Sequence, residues 1–343
     1  MKLQRIILLA LCLMSVSVPG MAASDDAAIG MVTGPKTGTY IVFGRDIARE
    51  AAKASVQVNV FDSKGSVDNL KRITSKEKVG LAIVQSDVMG FLSRSKNKDS
   101  MEKARKLRLV LPLYNEEVHI LANNDIKSIE ELNNKRVVVG SEDSGSLITA
   151  VNIFSILGIT PAKMYQVDPP HGVIAVLNGE VDAMVFVGGK PVKMFKNMEE
   201  LESIQGANAG KLSHVHFLPI TDRRLLKEYN SATITHDDYS YVTQDVPTVS
   251  VKALLVTYDY TMKKGDYYRE HCRNMGKLVK AIYDNMGDLK STGHPKWQQV
   301  DLDADVGSWK RDECSKGILS GDNESDDSQN TLEKDLLNII KGQ

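Results

Sequence analysis

Short apolar runs alternate along the chain with longer stretches whose apolar residues recur at helical spacing. That alternation predicts an α/β fold with mostly parallel sheets. The runs from Ala28 to Val32, Val56 to Phe61, Gly80 to Val84 and Leu107 to Leu113 read as strands. Thr39 to about Lys53 reads as a helix with Ile41, Val42, Ile47 and Ala51 on one side. Ser66 is placed to cap a second helix, in which Val67, Leu70 and Ile73 follow at helical spacing.

Val118 to Ala122 reads as a strand leaving this first unit, and Asn123-Asn124 as a turn. Ser128 and Glu131 have the spacing of a capping box. Arg136 to Val139, Ala183 to Val187 and Val215 to Leu218 then read as strands. Ser146 to Leu157 reads as a helix ended by Gly158, and Val173 to Leu177 lies in another. Thr248 to Thr257 is a long apolar strand expected near the junction of the two units, and Tyr267 to Met286 an amphipathic helix. Beyond about Gly307 the chain turns polar, Ser320 to Asn330 is acidic, and Leu332 to Ile340 has the pattern of a last helix. No long Gly/Ser linker intervenes, so two lobes joined by crossing strands that serve as a hinge are expected. The expected division is residues 1–22 as a signal peptide, 23–122 as the first part of lobe 1, 123–244 as lobe 2, 245–307 as the return to lobe 1, and 308–343 as a polar C-terminal extension.

The N-terminus changes the picture most. Lys2 and Arg5 precede an apolar run from Ile6 to Val18, which Pro19 and Gly20 end. Gly20-Met21-Ala22 puts small residues where a signal peptidase reads, so export with cleavage after Ala22 is expected. The run is shorter than the roughly 20 residues of a membrane span. Of three cysteines, Cys12 falls within this run. Cys272 and Cys314 are then a disulfide or two free thiols; an oxidising compartment favours the disulfide. With 43 Lys+Arg against 44 Asp+Glu in 343 residues, nothing global attracts nucleic acid, so any ligand charge must be read locally.

Three loops share one design, in which a strand ends and hydroxyl or Gly residues open a helix: Thr33 to Tyr40, Gln85-Ser86-Asp87, and Ser141 to Ser146. Helix N-termini offer unpaired N–H groups and the positive end of a dipole, which suits a carboxylate or phosphate. One such loop is more often a plain cap; several on two lobes would grip a ligand from both sides. Lys36, Arg45, Lys64 and Lys190 are the basic residues near these loops. The loop Gly34 to Tyr40 lacks the phosphate-loop order, GxGxxG is absent, and neither GxSxG nor HExxH occurs. His214 and His216 read as a surface pair on one strand, and His119 as a structural histidine. No catalytic residue, metal site or cofactor is expected.

The ordered set Thr33-Gly34…Gly38-Thr39-Tyr40, Gly65-Ser66-Val67-Asp68-Asn69-Leu70, Val84-Gln85-Ser86-Asp87-Val88, Glu117-Val118-His119-Ile120, Gly140…Ser144-Gly145-Ser146, Gly179-Glu180-Val181-Asp182-Ala183 and Phe186-Val187-Gly188-Gly189…Pro191 resembles the TAXI family, the solute receptors of TRAP transporters. The resemblance spans about Ile29 to Thr257. It implies a class II periplasmic-binding fold, a Venus flytrap of two α/β lobes. It implies a monomeric periplasmic receptor, not an enzyme, that binds a small acid such as glutamate or a dicarboxylate and delivers it to TRAP membrane subunits. A ligand sensor or surface antigen on the same fold is the alternative, and a hydrolase or lyase a more distant one. The contacts it implies are Gly38, Thr39 and Tyr40, then Gln85 and Ser86, then Ser144, Gly145 and Ser146, with Gly188 and Gly189 closing the pocket. Lys36 and Lys190 depart from the usual pattern and tilt the expected preference towards a dianion.

Overall fold

The computed structural model describes residues 28–75, 78–94, 97–198, 200 and 211–316. The expected signal peptide and the expected last helix lie outside these residues. In chain order the first elements are β1 (Ile29–Val32), α1 (Thr39–Lys53), β2 (Val58–Phe61), α2 (Ser66–Ile73), β3 (Val79–Gln85), α3 (Val88–Arg94), α4 (Lys98–Arg105) and β4 (Leu107–Asn123). Next come β5 (Arg136–Val138), α5 (Gly145–Leu157), β6 (Lys163–Tyr165), α6 (Pro169–Leu177), β7 (Ala183–Gly188) and α7 (Lys193–Lys196). The chain continues through β8 (Val215–Phe217), β9 (Asn230–Ile234), β10 (Val246–Tyr258), α8 (Asp266–Asp284) and α9 (Met286–Thr292).

The strand order is β2-β1-β3-β10-β4-β7-β5-β6, with β8 beside β4 and β9 beside β10. β1 lies between two parallel neighbours, β2 and β3, and β5 lies likewise between β6 and β7. The chain therefore builds the same β-α-β-α-β unit twice, with antiparallel β4 and β10 between the two copies. This is the two-lobed α/β arrangement of the class II periplasmic-binding fold.

Each lobe has its own core. In the first, Tyr40, Ile41, Phe43, Ile47 and Ala51 of α1 are buried, because they share the helix face turned to β1 and β2. Gly44 lies on that face where a Cβ would come within 2.6 Å of Thr33 and 2.9 Å of Val60, so the missing side chain sets how closely α1 approaches the sheet. In the second, Ile153 and Phe154 of α5 pack on Val118, Ile120, Val137 and Val185. Met184, Phe195, Phe217 and Tyr239 cover the opposite face of that sheet.

Several expectations need correction. Leu107 to Leu113 and Val118 to Ala122 form one continuous strand, β4. The polar residues Asn115, Glu116 and Glu117 mimic a break, but they stay in the ladder opposite Lys252, Val251 and Ser250 of β10. Ser128 makes no side-chain cap; Glu131 accepts from the Lys127 amide at 3.0 Å, and the turn that follows is a 3-10 helix. The helix expected to reach Met286 ends at Asp284, and α9 begins at Met286. His214 ends a 3-10 helix, so it does not share a strand with His216.

β4 pairs with β10 near Leu107 to Pro112 and with β7 from Glu117 to Ala122. β10 pairs with β9 at its start and with β3 near its end. Both long strands therefore belong to both lobes, and they cross between them at Asn115 to Glu117 and Ser250 to Lys252. The β4–β10 register shifts between Lys252 and Leu254, an irregularity of the kind that bends a ladder.

The C-terminal part of the described chain returns to lobe 1. Trp297 is fully buried, stacks on Phe43 with centroids 4.5 Å apart, and donates through Nε1 to Asp46 Oδ2 at 2.9 Å. Leu109 N donates to Lys310 O and Asp312 N to Leu109 O, each at 2.8 Å. Cys272 and Cys314 form a disulfide that ties this segment to α8.

Candidate functional site

The crossing strands place two carboxyl groups at the base of the cleft between the lobes. Successive residues of a strand face opposite ways, so Glu116 and Glu117 point to different sides of β4. Both are buried. Glu116 accepts from the Tyr40 hydroxyl at 2.7 Å, and the Gln85 side chain also faces it. Glu117 accepts from the Lys190 amide at 2.9 Å, which fixes the chain just past β7, where Gly188 and Gly189 lie. Lys190 itself turns aside: its ammonium meets Asp238 at 2.7 Å and the Thr233 carbonyl at 2.5 Å. Lys36 is exposed.

The two lobes touch directly across the cleft. Asp143 O, at the start of the loop into α5, accepts from Val67 N at 3.1 Å and Asp68 N at 3.3 Å. Lobe 2 thus caps the N-terminus of α2 with a backbone carbonyl. Lys64 pairs with Glu142 at 2.8 Å and Lys71 with Asp143 at 2.6 Å. Deeper in, Thr149 donates to Gln85 at 3.4 Å. Asp87 accepts from Tyr229 at 2.9 Å and, through its backbone carbonyl, from Asn152 at 3.1 Å. Arg94 and Glu228 add an ion pair beside it, with Nη2 to Oε2 at 2.9 Å. Ile148 of α5 packs among Val32, Ala82, Val84 and Val88 of lobe 1.

Glycines make this approach feasible. A Cβ on Gly145 would lie 2.2 Å from Gln85 Oε1 and 2.9 Å from Ser66 Oγ. Gly65, at φ 123°, adopts backbone that other residues rarely take, and a Cβ there would sit 3.2 Å from the Ser144 Cα.

The residues singled out in the sequence divide into two groups. Tyr40, Gln85 and Gly145 come together in one network through Glu116, Ser66 and Thr149, and Gly188 and Gly189 stand across from them at the end of β7. Gly38 and Thr39 open α1 beside it; Gly38 gives that helix no side-chain cap. Ser86, Ser144 and Ser146 are engaged internally. Ser86 exchanges hydrogen bonds with the Lys252 backbone, and its carbonyl accepts from Trp309 Nε1 at 2.8 Å. Ser144 caps Leu147 N at 3.3 Å, and Ser146 Oγ accepts from Val187 N at 3.0 Å. Glu116, Tyr114 and Lys296 went unnoticed in the sequence. Glu116 lies in the apparent break in β4 and Tyr114 just before it, and a polar interruption inside an otherwise apolar strand is their one signal.

Burial pushes the Glu116 carboxyl up to about 8, the Glu117 and Asp87 charges add to this, and hydrogen bonds from Tyr40 and Gln85 offset only part of it. Burial likewise raises Asp87 to about 6. At neutral pH Glu116 is therefore a neutral acid while the lobes are shut. In water its carboxyl would return towards the ordinary value of about 4.3. The sign follows from linkage: the folded, closed state holds the proton more tightly, so its advantage is complete below the ordinary value and is lost as pH rises through about 8. The thermal midpoint should fall between about pH 5 and pH 9 in the wild type, and this fall should flatten in Glu116→Gln, which keeps the hydrogen-bonding shape without the proton. Parallel pH profiles for the two proteins would refute this assignment.

The sequence model of the NMT1-like family matches residues 31–308. Solved structures similar to this chain include the substrate-binding protein of an amino acid ABC transporter, at 12% identity and a TM-score of 0.41, covering 78% of this chain and 99% of that one. A TctC solute-binding protein from Polaromonas matches at 14% identity and a TM-score of 0.39, over 76% and 87% of the two chains. A histidine kinase sensor domain with similarity to periplasmic binding proteins matches at 10% identity and 0.44, over 80% and 96%.

Proposed function

The chain belongs to the NMT1-like family, and on that premise we propose that it is an exported, periplasmic solute-binding receptor that acts by binding, without turnover. Its two lobes close around a small anionic metabolite, a glutamate-like amino acid or a dicarboxylate, and present it to a TRAP-type transporter. The observation that carries this reading is the lobe contact itself. Two α/β units joined by the crossing strands β4 and β10, whose ladder shifts register between Lys252 and Leu254, meet through loops whose side chains and carbonyls bond directly across the gap. Such a contact can open and shut about the crossing strands, and a solute bridging both faces shifts the population towards the shut form.

In this reading the start of α1, with Gly38, Thr39 and Tyr40, holds the solute from lobe 1 and Gly188-Gly189 holds it from lobe 2. The N-terminal amides of a helix and glycines that admit close approach suit a carboxylate. Gln85 and Gly145 set how far the lobes can shut. Ser86, Ser144 and Ser146 support these loops, since their hydroxyls already serve neighbouring backbone groups. The protein works as a monomer and without a cofactor.

Isothermal titration with amino acids and C4–C5 dicarboxylates tests the proposal. A dissociation constant on the order of micromolar, about −8 kcal/mol, is expected for at least one of them. Failure of all of them to bind would overturn it.

A further inference from the structure

Lys296 reaches the cleft from outside every loop that the sequence pointed to. It belongs to the 3-10 helix Pro295–Gln299, whose neighbouring Trp297 is rooted in the core of lobe 1. Its side chain is only 8% exposed, and its ammonium donates to Gln299 Oε1 at 3.3 Å. It makes no ion pair among the described residues. Its Cε lies 2.8 Å, and its Nζ 3.2 Å, from where a Cβ on Gly189 would be, so it crosses the cleft to the end of β7.

Tyr114 meets the same point. Its ring comes within 3.2 Å of that Cβ position. Its hydroxyl is fully buried, with Thr39 and Glu116 close by, yet it makes no hydrogen bond of acceptable geometry among the described residues. A buried ammonium whose hydrogen-bond partner is neutral and a buried hydroxyl without one are both costly. Here they occur side by side, between the start of α1 and Gly189.

We propose that Lys296 and Tyr114 form the anion subsite of the cleft and take up one carboxylate of the bound solute. The inference rests on the receptor reading above and adds the residues that set its preference for negative charge. Glu117, Asp238 and Lys190, together with the neutral Glu116 carboxyl, are the titratable groups around the Lys296 ammonium. Burial lowers its pKa and Lys190 opposes the charge, while the Glu117 and Asp238 carboxylates support it. A solute carboxylate would complete the pairing that these more distant groups leave partial.

The test compares wild type, Lys296→Met and Tyr114→Phe by calorimetric titration with L-glutamate, succinate and sulfate, alongside thermal unfolding without ligand. Removing a buried charge that has no ion pair should leave the unliganded midpoint unchanged or raised. Affinity for the anion that the wild type binds should fall at least tenfold in Lys296→Met and measurably in Tyr114→Phe. Wild-type binding with unchanged affinity in both variants would overturn the subsite and leave the receptor reading standing. A lowered midpoint with intact affinity would make Lys296 a structural residue and overturn it as well. Should Lys296→Met not fold, Tyr114→Phe decides alone, and unchanged affinity there overturns the proposal. A wild type that binds none of the three anions, nor any other amino acid or C4–C5 dicarboxylate, overturns this subsite and the anionic-solute reading together.

Discussion

Replacing Gly145 with valine should hold the two lobes apart. The first atom of the new side chain would fall 2.2 Å from Gln85 Oε1, 2.5 Å from its Cδ and 2.9 Å from Ser66 Oγ. Gln85 has little room to yield. It is 3% exposed, its amide group serves Thr149 and Glu116, and its backbone N–H donates to Ser66 Oγ at 3.2 Å. The clash exists only when the lobes touch, because Gly145 belongs to lobe 2 and both obstacles to lobe 1. Overpacking of this kind costs about 1–3 kcal/mol. Applied to the shut form alone, that weakens solute affinity roughly five- to hundredfold. Small-angle scattering should show the wild type contracting when solute is added and Gly145→Val staying extended. Thermal unfolding without solute should change little, since valine is tolerated in the first turn of a helix. Contraction of the variant at wild-type solute concentrations would refute the role given to Gly145.

Trp297→Ala should produce the largest loss of stability. The side chain is fully buried, stacks on Phe43 and donates to Asp46 Oδ2, which also accepts from His294 N at 2.9 Å. Truncating a buried tryptophan removes its transfer free energy and leaves a cavity, at about 3–5 kcal/mol. Urea unfolding measures this directly, and a loss below about 1 kcal/mol would show that the pocket collapses or that the packing described is wrong. Trp297→Phe should lose less, because it keeps the stacking and gives up only the hydrogen bond. The alanine variant should also bind anions more weakly, since Trp297 is the anchor that holds Lys296 against Gly189.

Much of the lobe structure was legible. The runs that became β1, β3, β5 and β7 are apolar apart from Arg136 at the start of β5 and Gln85 at the end of β3, and strand residues covered on both faces need no alternation. α1, α2, α5 and α8 announced themselves through apolar spacing and end signals, including Gly158, which adopts the left-handed conformation at φ 73° after α5. β6 and β9 escaped notice. β6 is short and exposed at the sheet edge, and β9 takes its place only by pairing with β10. The chain past Gly307 looked like a polar extension, yet Trp309 is buried among Leu107, Leu109, Leu254 and Val256. A single tryptophan in a polar stretch carries no periodicity to reveal that.

The sequence by itself determined two α/β lobes, the loops that open their helices, and the glycines at those loops. These properties depend on neighbours a few residues apart, through strand and helix periods and turn chemistry, and so they can be read along the chain. Only the tertiary structure decided what each group does in the cleft. It set the Asp143 carbonyl on the start of α2, used the serine hydroxyls inside their own loops, made Glu116 a neutral acid, and brought Lys296 to Gly189. Burial, the charge a buried group carries and the identity of its partner depend on residues far apart in sequence, and these are settled only when the chain closes on itself.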